Sequence, residues 1–245
     1  MSTRKISFLI NKDRLTGTLF FPSKLKASNP AILFVHGWMG SESHYAERTK
    51  PLTKLGYICL AFNLRGHGDS SGDINAVTLA DNLKDAISAY DFLASQNRVN
   101  KKAIHVVGSS YGGYLTAMLS SKRKPKSLVL RAPAIYKDSD LNSAKSSTSV
   151  INLLEGYKTR ELDSHSNKAL RALSKFNGKI LLIECGKDER IPHKVIESII
   201  MTSKKNALTH EIIRGADHRF SKRIWELRFR KILADWFSSQ RSKQR

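Results

Sequence analysis

Short, largely apolar runs are the feature of this sequence that most restricts its fold. Five such runs follow one another along the chain, at residues 31–35, 58–62, 104–107, 128–130 and 180–183. Runs without regular polar alternation mark strands that are covered on both faces, as in a parallel sheet flanked by helices. Residues 4–11 and 15–21 read as an opening antiparallel pair, and residues 208–213 fit a last strand.

Amphipathic stretches fill the intervals between these runs. One helical face is formed by Leu79, Leu83, Ala86, Ile87, Tyr90 and Leu93, and a second by Trp225, Phe229, Ile232, Leu233 and Trp236. Alternating strands and helices predict an α/β fold with a doubly wound, mostly parallel eight-stranded sheet. A length of 245 residues suits one such domain, which we expect to span residues 1–245.

One interval departs from this alternation of strands and helices. The 46 residues between Ala132 and Lys179 contain no long apolar run and include a Ser-rich stretch. Long connections in compact domains are usually lids or binding loops. We therefore predict a small inserted lid at about residues 133–175, together with one core helix around residues 167–176.

The charge of the chain is strongly positive. Lysine and arginine number 42 against 21 aspartates and glutamates, a formal net charge of +21. Such a field attracts anions, so weak association with anionic surfaces is expected, although ordinary solvated faces account for the same count. The basic stretches lack the interleaved aromatic residues of single-strand binders, so no specific nucleic acid is predicted.

Export and membrane signals are not apparent in this sequence. No run approaches the roughly 20 apolar residues of a spanning helix, and the first residues lack a secretory apolar segment. The expected location is therefore the cytoplasm. Cys59 and Cys185 each lie in or just after an apolar run and are expected to be buried free thiols.

A glycine-flanked serine follows the third of the five runs. Residues 108–112 read GSSYG, directly after an apolar run and directly before the helical stretch 114–119. In this context the G-x-S-x-G pattern forms a tight turn that exposes the serine hydroxyl and leaves little room for flanking side chains. The pattern predicts Ser110 as a nucleophile, whereas Ser109 lacks glycine at the required spacing.

A serine hydroxyl becomes nucleophilic when a histidine accepts its proton and a carboxylate orients that histidine. Asp188 follows the run 180–183, and His218 follows the last predicted strand. Both therefore lie in loops at the carboxyl edge of the sheet, where Ser110 also lies. We predict Asp188 as the acid and His218 as the base, with Glu189 as an alternative acid and His193 as an alternative base.

Two backbone amides are candidates for binding the oxyanion of a tetrahedral intermediate. The amide of Tyr111 follows the nucleophile, and that of Trp38 lies in the loop after the first run, where His36 is expected to brace the turn. Trp38, Met39 and Tyr136 are candidate substrate contacts, although surface packing accounts for these three side chains equally well.

Residues 63–72, with the sequence NLRGHGDSSG, add a further motif. Together with GSSYG, GKDERIP at 186–192 and GADHRF at 215–220, this segment makes the chain resemble the α/β-hydrolase superfamily, in which an RGHGxSxG loop follows the fourth strand. This loop and the insert of moderate size are similar to those of cinnamoyl/feruloyl-type esterases. Asn63 departs from the aspartate often found there, which affects bracing of the loop more than the chemistry.

The resemblance implies a serine hydrolase that cleaves carboxylic ester bonds of small acyl substrates through an acyl-enzyme intermediate. An aminopeptidase-like or thioesterase-like acyl hydrolase is an alternative with the same chemistry. A non-catalytic binding module that uses the basic surface is an alternative of another class. No metal or organic cofactor is expected, because the cysteines and histidines show no ligand spacing.

Overall fold

The structure is a computed structural model that describes residues 1–147, 165 and 167–242. Eight strands form one sheet in the order β1-β2-β4-β3-β5-β6-β7-β8. Their bounds are β1 Ser2–Ile10, β2 Asp13–Phe21, β3 Asn29–Val35, β4 Ile58–Phe62, β5 Val99–Ser109, β6 Ser127–Arg131, β7 Lys179–Cys185 and β8 Leu208–Ile213. The β1–β2 and β2–β4 pairings are antiparallel and all others are parallel, which confirms the predicted sheet.

Helices cover both faces of this sheet. Within the described residues they are α1 Ala46–Lys54, α2 Leu79–Ala94, α3 Tyr111–Leu119, α4 Lys168–Lys175, α5 His193–Thr202 and α6 Arg223–Ser242, with short 3₁₀ turns at Glu42–Tyr45 and Asp138–Asn142. Helix α1 contacts α6, while α2, α3, α4 and α5 contact one another in series. The predicted helical faces at 79–93 and 225–236 are those of α2 and α6.

The central strands are buried because helices pack on both of their sides. Every residue of β4 and of β6 is buried, and Leu33, Leu60 and Leu130 have no exposed surface. Close-packed interiors of this kind are rigid. The sheet is therefore a stable platform for the loops at its carboxyl edge.

Strand β5 begins earlier than its apolar run indicates. Val99 pairs with Asn29, and a register shift follows before Ala31 pairs with Ile104. Lys101 and its neighbour Lys102 are exposed in this first part of the strand. Apolar patterning misses the extension because the two exposed lysines separate the buried Val99 from the apolar run.

Residues 148–164 and 166, which form part of the predicted lid, lie outside the described residues, so the lid and the single-domain boundary stay predictions. The core helix expected at 167–176 is α4. Its N-terminus is capped by Asn167, whose side-chain oxygen accepts hydrogen bonds from the amides of Ala169 and Leu170.

Both cysteines are buried free thiols, as predicted. Among the described residues, no helix combines the length and the apolar character that crossing a bilayer requires. The cytoplasmic location stays a prediction.

Candidate active site

Ser110 lies in the tight turn between β5 and α3. Its backbone φ of 54° and ψ of −117° are unusual for a residue with a side chain. A Cβ atom at Gly108 would lie 2.2 Å from the carbonyl oxygen of Gly112, and one at Gly112 would lie 2.2 Å from that of Val35. Only glycine fits at these two positions, and the turn holds the serine at the carboxyl edge of the sheet.

The imidazole of His218 joins Ser110 to Asp188. Its Nε2 atom lies 3.0 Å from the Ser110 Oγ, and its Nδ1 atom lies 2.8 Å and 3.0 Å from the two carboxylate oxygens of Asp188. A carboxylate only accepts hydrogen bonds, so Nδ1 carries the proton and Nε2 presents its lone pair to the hydroxyl. The structure thus brings the three residues together in the geometry that proton transfer from a serine requires.

Asp188 is held as an ionised carboxylate. Its Oδ1 atom accepts hydrogen bonds from the amides of Arg190 and Ile191, each at 2.8 Å. Burial on its own would raise the pKa of Asp188, but the hydrogen bond and charge of His218, together with these amides, bring the pKa below its usual range. The carboxylate is therefore available to orient the imidazole.

Glu189 and His193, the alternative acid and base, do not form a contact of this kind with Ser110 or with the ring of His218. Glu189 accepts a hydrogen bond from the backbone amide of His218 at 3.1 Å and makes no bond to the ring. His193 Nδ1 lies 2.7 Å from Glu184, which also binds His210 at 3.0 Å. No cluster of three or more histidine, cysteine or acidic side chains in the described part of the chain could hold a metal ion.

Two neutral histidines brace the loop after β3. His36 Nε2 accepts the amide hydrogen of Leu64 at 3.0 Å, so its Nδ1 donates to the carbonyl of the following residue at 2.8 Å. Burial, aided by the nearby His67, lowers the pKa of His36 to about 3. His67 Nε2 in turn accepts the amide hydrogen of Met39 at 3.4 Å. The predicted bracing role of His36 fits these contacts.

The same loop passes directly beside the serine. A Cβ atom at Gly37 would lie 3.4 Å from the Cβ atom of Ser110. The ring of Trp38 packs edge-on against that of Tyr111, with centroids 5.7 Å apart. In the part of the chain that the structure describes, neither the Trp38 amide nor the Tyr111 amide donates a hydrogen bond. Both remain predicted oxyanion donors.

Tyr136 belongs to a buried aromatic cluster. It is 4% exposed, and its ring packs against those of Tyr111 and Tyr114. The Nζ atom of Lys145 lies 4.9–5.5 Å from the ring centroids of Trp38, Tyr111 and Tyr136. Burial lowers the pKa of this lysine to about 8. No sequence pattern marks Lys145, because its aromatic neighbours come from three separate segments.

A cavity of about 890 Å³ opens onto Ser110 and His218. Two of the predicted substrate contacts, Trp38 and Met39, line it, whereas Tyr136 does not. The cavity is also lined by arginines that sequence analysis missed: Arg48, Arg131, Arg190, Arg219, Arg223 and Arg230. Two of these arginines could have been predicted from the sequence, since Arg219 directly follows His218 and Arg190 lies in the same motif as the predicted acid.

A chain of hydrogen bonds links the loop after β4 to the residue that follows the serine. The Arg65 Nη2 atom lies 2.6 Å from the carboxylate of Asp85, which also accepts from Asn82 at 3.0 Å. The side-chain oxygen of Asn82 accepts a hydrogen bond from the Tyr111 hydroxyl at 3.0 Å. The NLRGHGDSSG segment is thereby fixed to α2 and, through it, to the serine turn.

Asn63 suits the neighbours that this chain provides. Its side-chain oxygen accepts the amide hydrogen of Glu42 at 2.8 Å, and its Nδ2 atom donates to the hydroxyl of Thr16 at 2.9 Å. An aspartate could accept the first of these bonds but has no hydrogen to donate in the second. The departure from aspartate therefore adjusts the bracing of the loop, as predicted.

Comparison with known protein families gives one match over most of the chain. Residues 26–175 match the family described as "Serine aminopeptidase, S33". The matched region runs from just before β3 to the end of α4 and includes Trp38 and Ser110.

Curated relatives are similar over shorter regions. Human palmitoyl-protein thioesterase ABHD10, a mitochondrial protein, is 32% identical over 121 residues, which cover 47% of this chain and 36% of the relative. Lysophosphatidylserine lipase ABHD12 of Danio rerio is 25% identical over 188 residues, which cover 72% of this chain and 48% of the relative. The chain thus matches between about a third and a half of the length of these relatives.

Solved structures share the fold at low sequence identity. Est1E from Butyrivibrio proteoclasticus, solved with ferulic acid bound, superposes with a TM-score of 0.76 at 17% identity and covers 97% of this chain and 99% of that one. The acylaminoacyl peptidase of Pyrococcus horikoshii superposes with a TM-score of 0.73 at 20% identity, covering 97% of this chain and 41% of that one. The fold therefore resembles that of feruloyl-type esterases, as the sequence motifs predict.

Proposed function

Because this chain belongs to the "Serine aminopeptidase, S33" family and is an enzyme of the α/β-hydrolase type, we propose that it hydrolyses carboxylic esters through an acyl-enzyme formed on Ser110. The observation that carries the proposal is the continuous contact from Asp188 through His218 to the serine hydroxyl. Its substrates would be small acyl compounds.

The first half of the reaction forms the acyl-enzyme. His218 Nε2 takes the proton of Ser110 as its oxygen attacks the acyl carbon, and Asp188 stabilises the imidazolium that results. The same imidazole then protonates the departing alcohol. The amides of Trp38 and Tyr111 would stabilise the oxyanion, and a donor of this kind is typically worth about 2.7–4 kcal/mol.

The second half releases the acid. Water takes the place of the alcohol, gives a proton to His218 and attacks the acyl carbon, and the proton then returns to the Ser110 oxygen. The contacts of His218 support this double use of the base. Its backbone amide and carbonyl are bound by Glu189 and Arg131, so the ring keeps its place between the two steps.

Thioesters and amides are the alternative substrates. Relatives include proteins named as a palmitoyl-protein thioesterase and as a lysophosphatidylserine lipase. Serine hydrolases of different preference use the same nucleophile, so the catalytic side chains do not distinguish ester from thioester or amide. A panel with one acyl group on an alcohol, a thiol and an amine separates the three.

The test replaces the nucleophile. In Ser110→Ala we expect the loss of covalent labelling by a fluorophosphonate probe and a fall in kcat for a short-chain nitrophenyl ester on the order of 10⁶-fold. The circular dichroism spectrum should match that of the parent protein, because only a hydroxyl is removed.

Ser109→Ala is the matched control, since it removes the hydroxyl of the preceding residue, which makes no hydrogen bond among the described residues. This variant should label and turn over as the parent does. If Ser110→Ala still reacts with the probe, or if Ser109→Ala is the variant that fails, the proposed nucleophile is wrong.

A further inference from the structure

The charges that line the cavity at Ser110 are unbalanced. Six arginines and two glutamates contribute to its wall, an excess of four positive charges. The two carboxylates are already engaged. Glu226 binds Arg48 through two hydrogen bonds of 2.7 Å and 2.9 Å, and Glu47 lies 3.3 Å from Arg230. The remaining arginines are therefore the source of the positive field.

Three of these remaining arginines are exposed at the cavity. Arg219 and Arg223 have no carboxylate within ion-pair distance among the described residues, and Arg190 has only a 3.8 Å contact with the exposed Glu189. Arginine presents its donors in a planar fork that suits carboxylate and phosphate oxygens. The exposed rim of the cavity thus offers unengaged donors for an anion.

A fourth arginine lies deeper. Arg131 is 6% exposed, and its two Nη atoms donate to the carbonyl oxygen of His218 at 2.6 Å and 2.8 Å. Its Nε–H has no hydrogen-bond partner within the described part of the protein. Burial, opposed in part by Cys185 and reinforced by the nearby Arg48, lowers the pKa of this guanidinium. The charge of Asp188 and the ring of Phe220, whose centroid lies 4.5 Å from the guanidinium, offset part of this cost. No carboxylate of the described residues forms an ion pair with Arg131, so an approaching anion would stabilise it further.

The position of His218 indicates which part of a substrate meets these charges. The imidazole must protonate the leaving group, so the leaving group departs on the side of the base. Arg219 directly follows His218, and Arg131 holds its carbonyl oxygen. The wall next to the base is therefore the cationic one, and the acyl group lies on the other side of the scissile bond.

We propose that the natural substrate carries a phosphate on its leaving group and that Arg219, Arg223 and Arg190 bind this phosphate beside the scissile bond. The inference rests on the proposed acyl hydrolysis and names the class of its substrate. A phosphate monoester carries up to two negative charges and three acceptor oxygens, which matches several arginines better than a single carboxylate does. Phosphate-bearing alcohols and nucleotide thiols share this chemistry.

The phosphate ester itself stays intact in the reaction. The Ser110 oxygen bonds to the acyl carbon, the bond from that carbon to the leaving oxygen or sulfur breaks, and the serine proton passes through His218 to the leaving atom. Water then supplies the hydroxyl of the released acid and returns one proton to Ser110. The products are a carboxylic acid and the phosphate-bearing alcohol or thiol.

The experiment compares, in each of two pairs, a substrate whose leaving group carries phosphate with one whose leaving group carries none. The ester pair is 1-butanoylglycerol 3-phosphate with 1-butanoylglycerol, and the thioester pair is butanoyl-coenzyme A with S-butanoyl-N-acetylcysteamine. In at least one pair we expect kcat/KM to be about tenfold or more higher for the phosphate-bearing member at low salt, because charge-assisted hydrogen bonds are the strong ones. Raising the salt to 0.2 M should shrink this ratio.

Two arginines on α6 provide a matched pair of variants. Arg223 lines the cavity, whereas Arg228 is exposed on the same helix and is not part of the cavity wall. The phosphate-to-neutral ratio of kcat/KM should fall several-fold towards one in Arg223→Gln and keep its parent value in Arg228→Gln. Arg219→Gln, on a different element, should lower the ratio as well.

The outcomes separate this inference from the hydrolase proposal. A preference confined to the ester pair indicates a phosphate-bearing alcohol, and one confined to the thioester pair indicates a nucleotide thiol; either supports the inference. Equal turnover within both pairs, or a ratio that Arg223→Gln and Arg228→Gln reduce equally, overturns it and leaves the hydrolase standing. Failure of all four substrates, together with no fluorophosphonate labelling of Ser110, contradicts the hydrolase proposal itself.

Discussion

Asp188 illustrates how single side chains define this site. Its carboxylate contacts the imidazole of His218 with both oxygens, and two backbone amides bind Oδ1. Its neighbour Glu189 touches only the backbone amide of the same histidine. Of two adjacent carboxylates, only that of Asp188 binds the imidazole ring.

Replacement of the carboxylate by an amide tests this difference. In Asp188→Asn, the amide can donate to Nδ1 and so favour the tautomer that places the proton on Nε2, where it cannot accept from Ser110. We expect kcat for a nitrophenyl ester to fall by about 10⁴-fold with little change in folding, as such a change does in serine proteases. Steady-state kinetics with a thermal melt measures both quantities.

Glu189→Gln is the comparison, since it removes the other carboxylate of the loop. An amide oxygen can still accept from the backbone of His218, so the loss should stay below about tenfold. A loss in Glu189→Gln as large as that in Asp188→Asn would transfer the role of acid to Glu189.

Among the elements, α2 contributes most to the connection between the loops of the site. Its residue Asp85 is fully buried and accepts hydrogen bonds from the backbone and guanidinium of Arg65. The same helix also carries Asp91, whose carboxylate pairs with Arg123 at 2.6 Å on the surface. One helix therefore offers a buried and an exposed version of the same ion pair.

Substitution of the two aspartates should have unequal effects. Arg65 would keep two other carboxylates, Asp13 at 3.1 Å and Asp81 at 3.8 Å, so its charge stays compensated in Asp85→Asn. The variant still weakens buried hydrogen bonds to the backbone and guanidinium of Arg65, which should lower the free energy of unfolding by about 1–3 kcal/mol. Asp91→Asn should cost about 0–1 kcal/mol, because surface pairs contribute little. Urea unfolding of both variants measures the difference, and equal losses would show that the Arg65 pair does not stabilise the protein.

Local sequence patterns could predict elements and the residues attached to their ends. Ser110, Asp188 and His218 each follow a strand within a short motif, so their positions could be predicted before their contacts were known. The cationic cavity could not be predicted in this way. Arg48 lies on α1, Arg131 ends β6 and Arg223 begins α6, and only the packed sheet and helices bring them together.

For the molecule as a whole, buried histidines link stability to pH. His36 and His105 are both buried, and burial lowers the pKa of each to about 3. In the unfolded chain these imidazoles titrate near 6.5. Between about pH 6.5 and pH 3 the unfolded chain therefore binds more protons than the folded protein, so stability present at neutral pH is lost as the pH falls.

This linkage predicts a measurable acid sensitivity. Each of the two histidines should lower the free energy of unfolding by about 2 kcal/mol between pH 7 and pH 5. His105→Leu should remove about half of that combined difference, whatever its own stability. Urea unfolding at the two pH values checks this, and a His105→Leu difference equal to that of the parent would contradict it. The net charge of +21 adds repulsion between positive charges in acid. The expected weak association with anionic surfaces stays a prediction.

The backbone angle at Ser110 has an evolutionary side. A residue with a side chain at a φ of 54° and a ψ of −117° is strained by about 1–3 kcal/mol, whereas glycine would adopt this conformation with little penalty. Selection for stability alone would therefore favour glycine at position 110. Stability and activity therefore make opposite demands on this one residue. In lineages that no longer need the activity, replacement of the serine by glycine would be tolerated and would stabilise the protein.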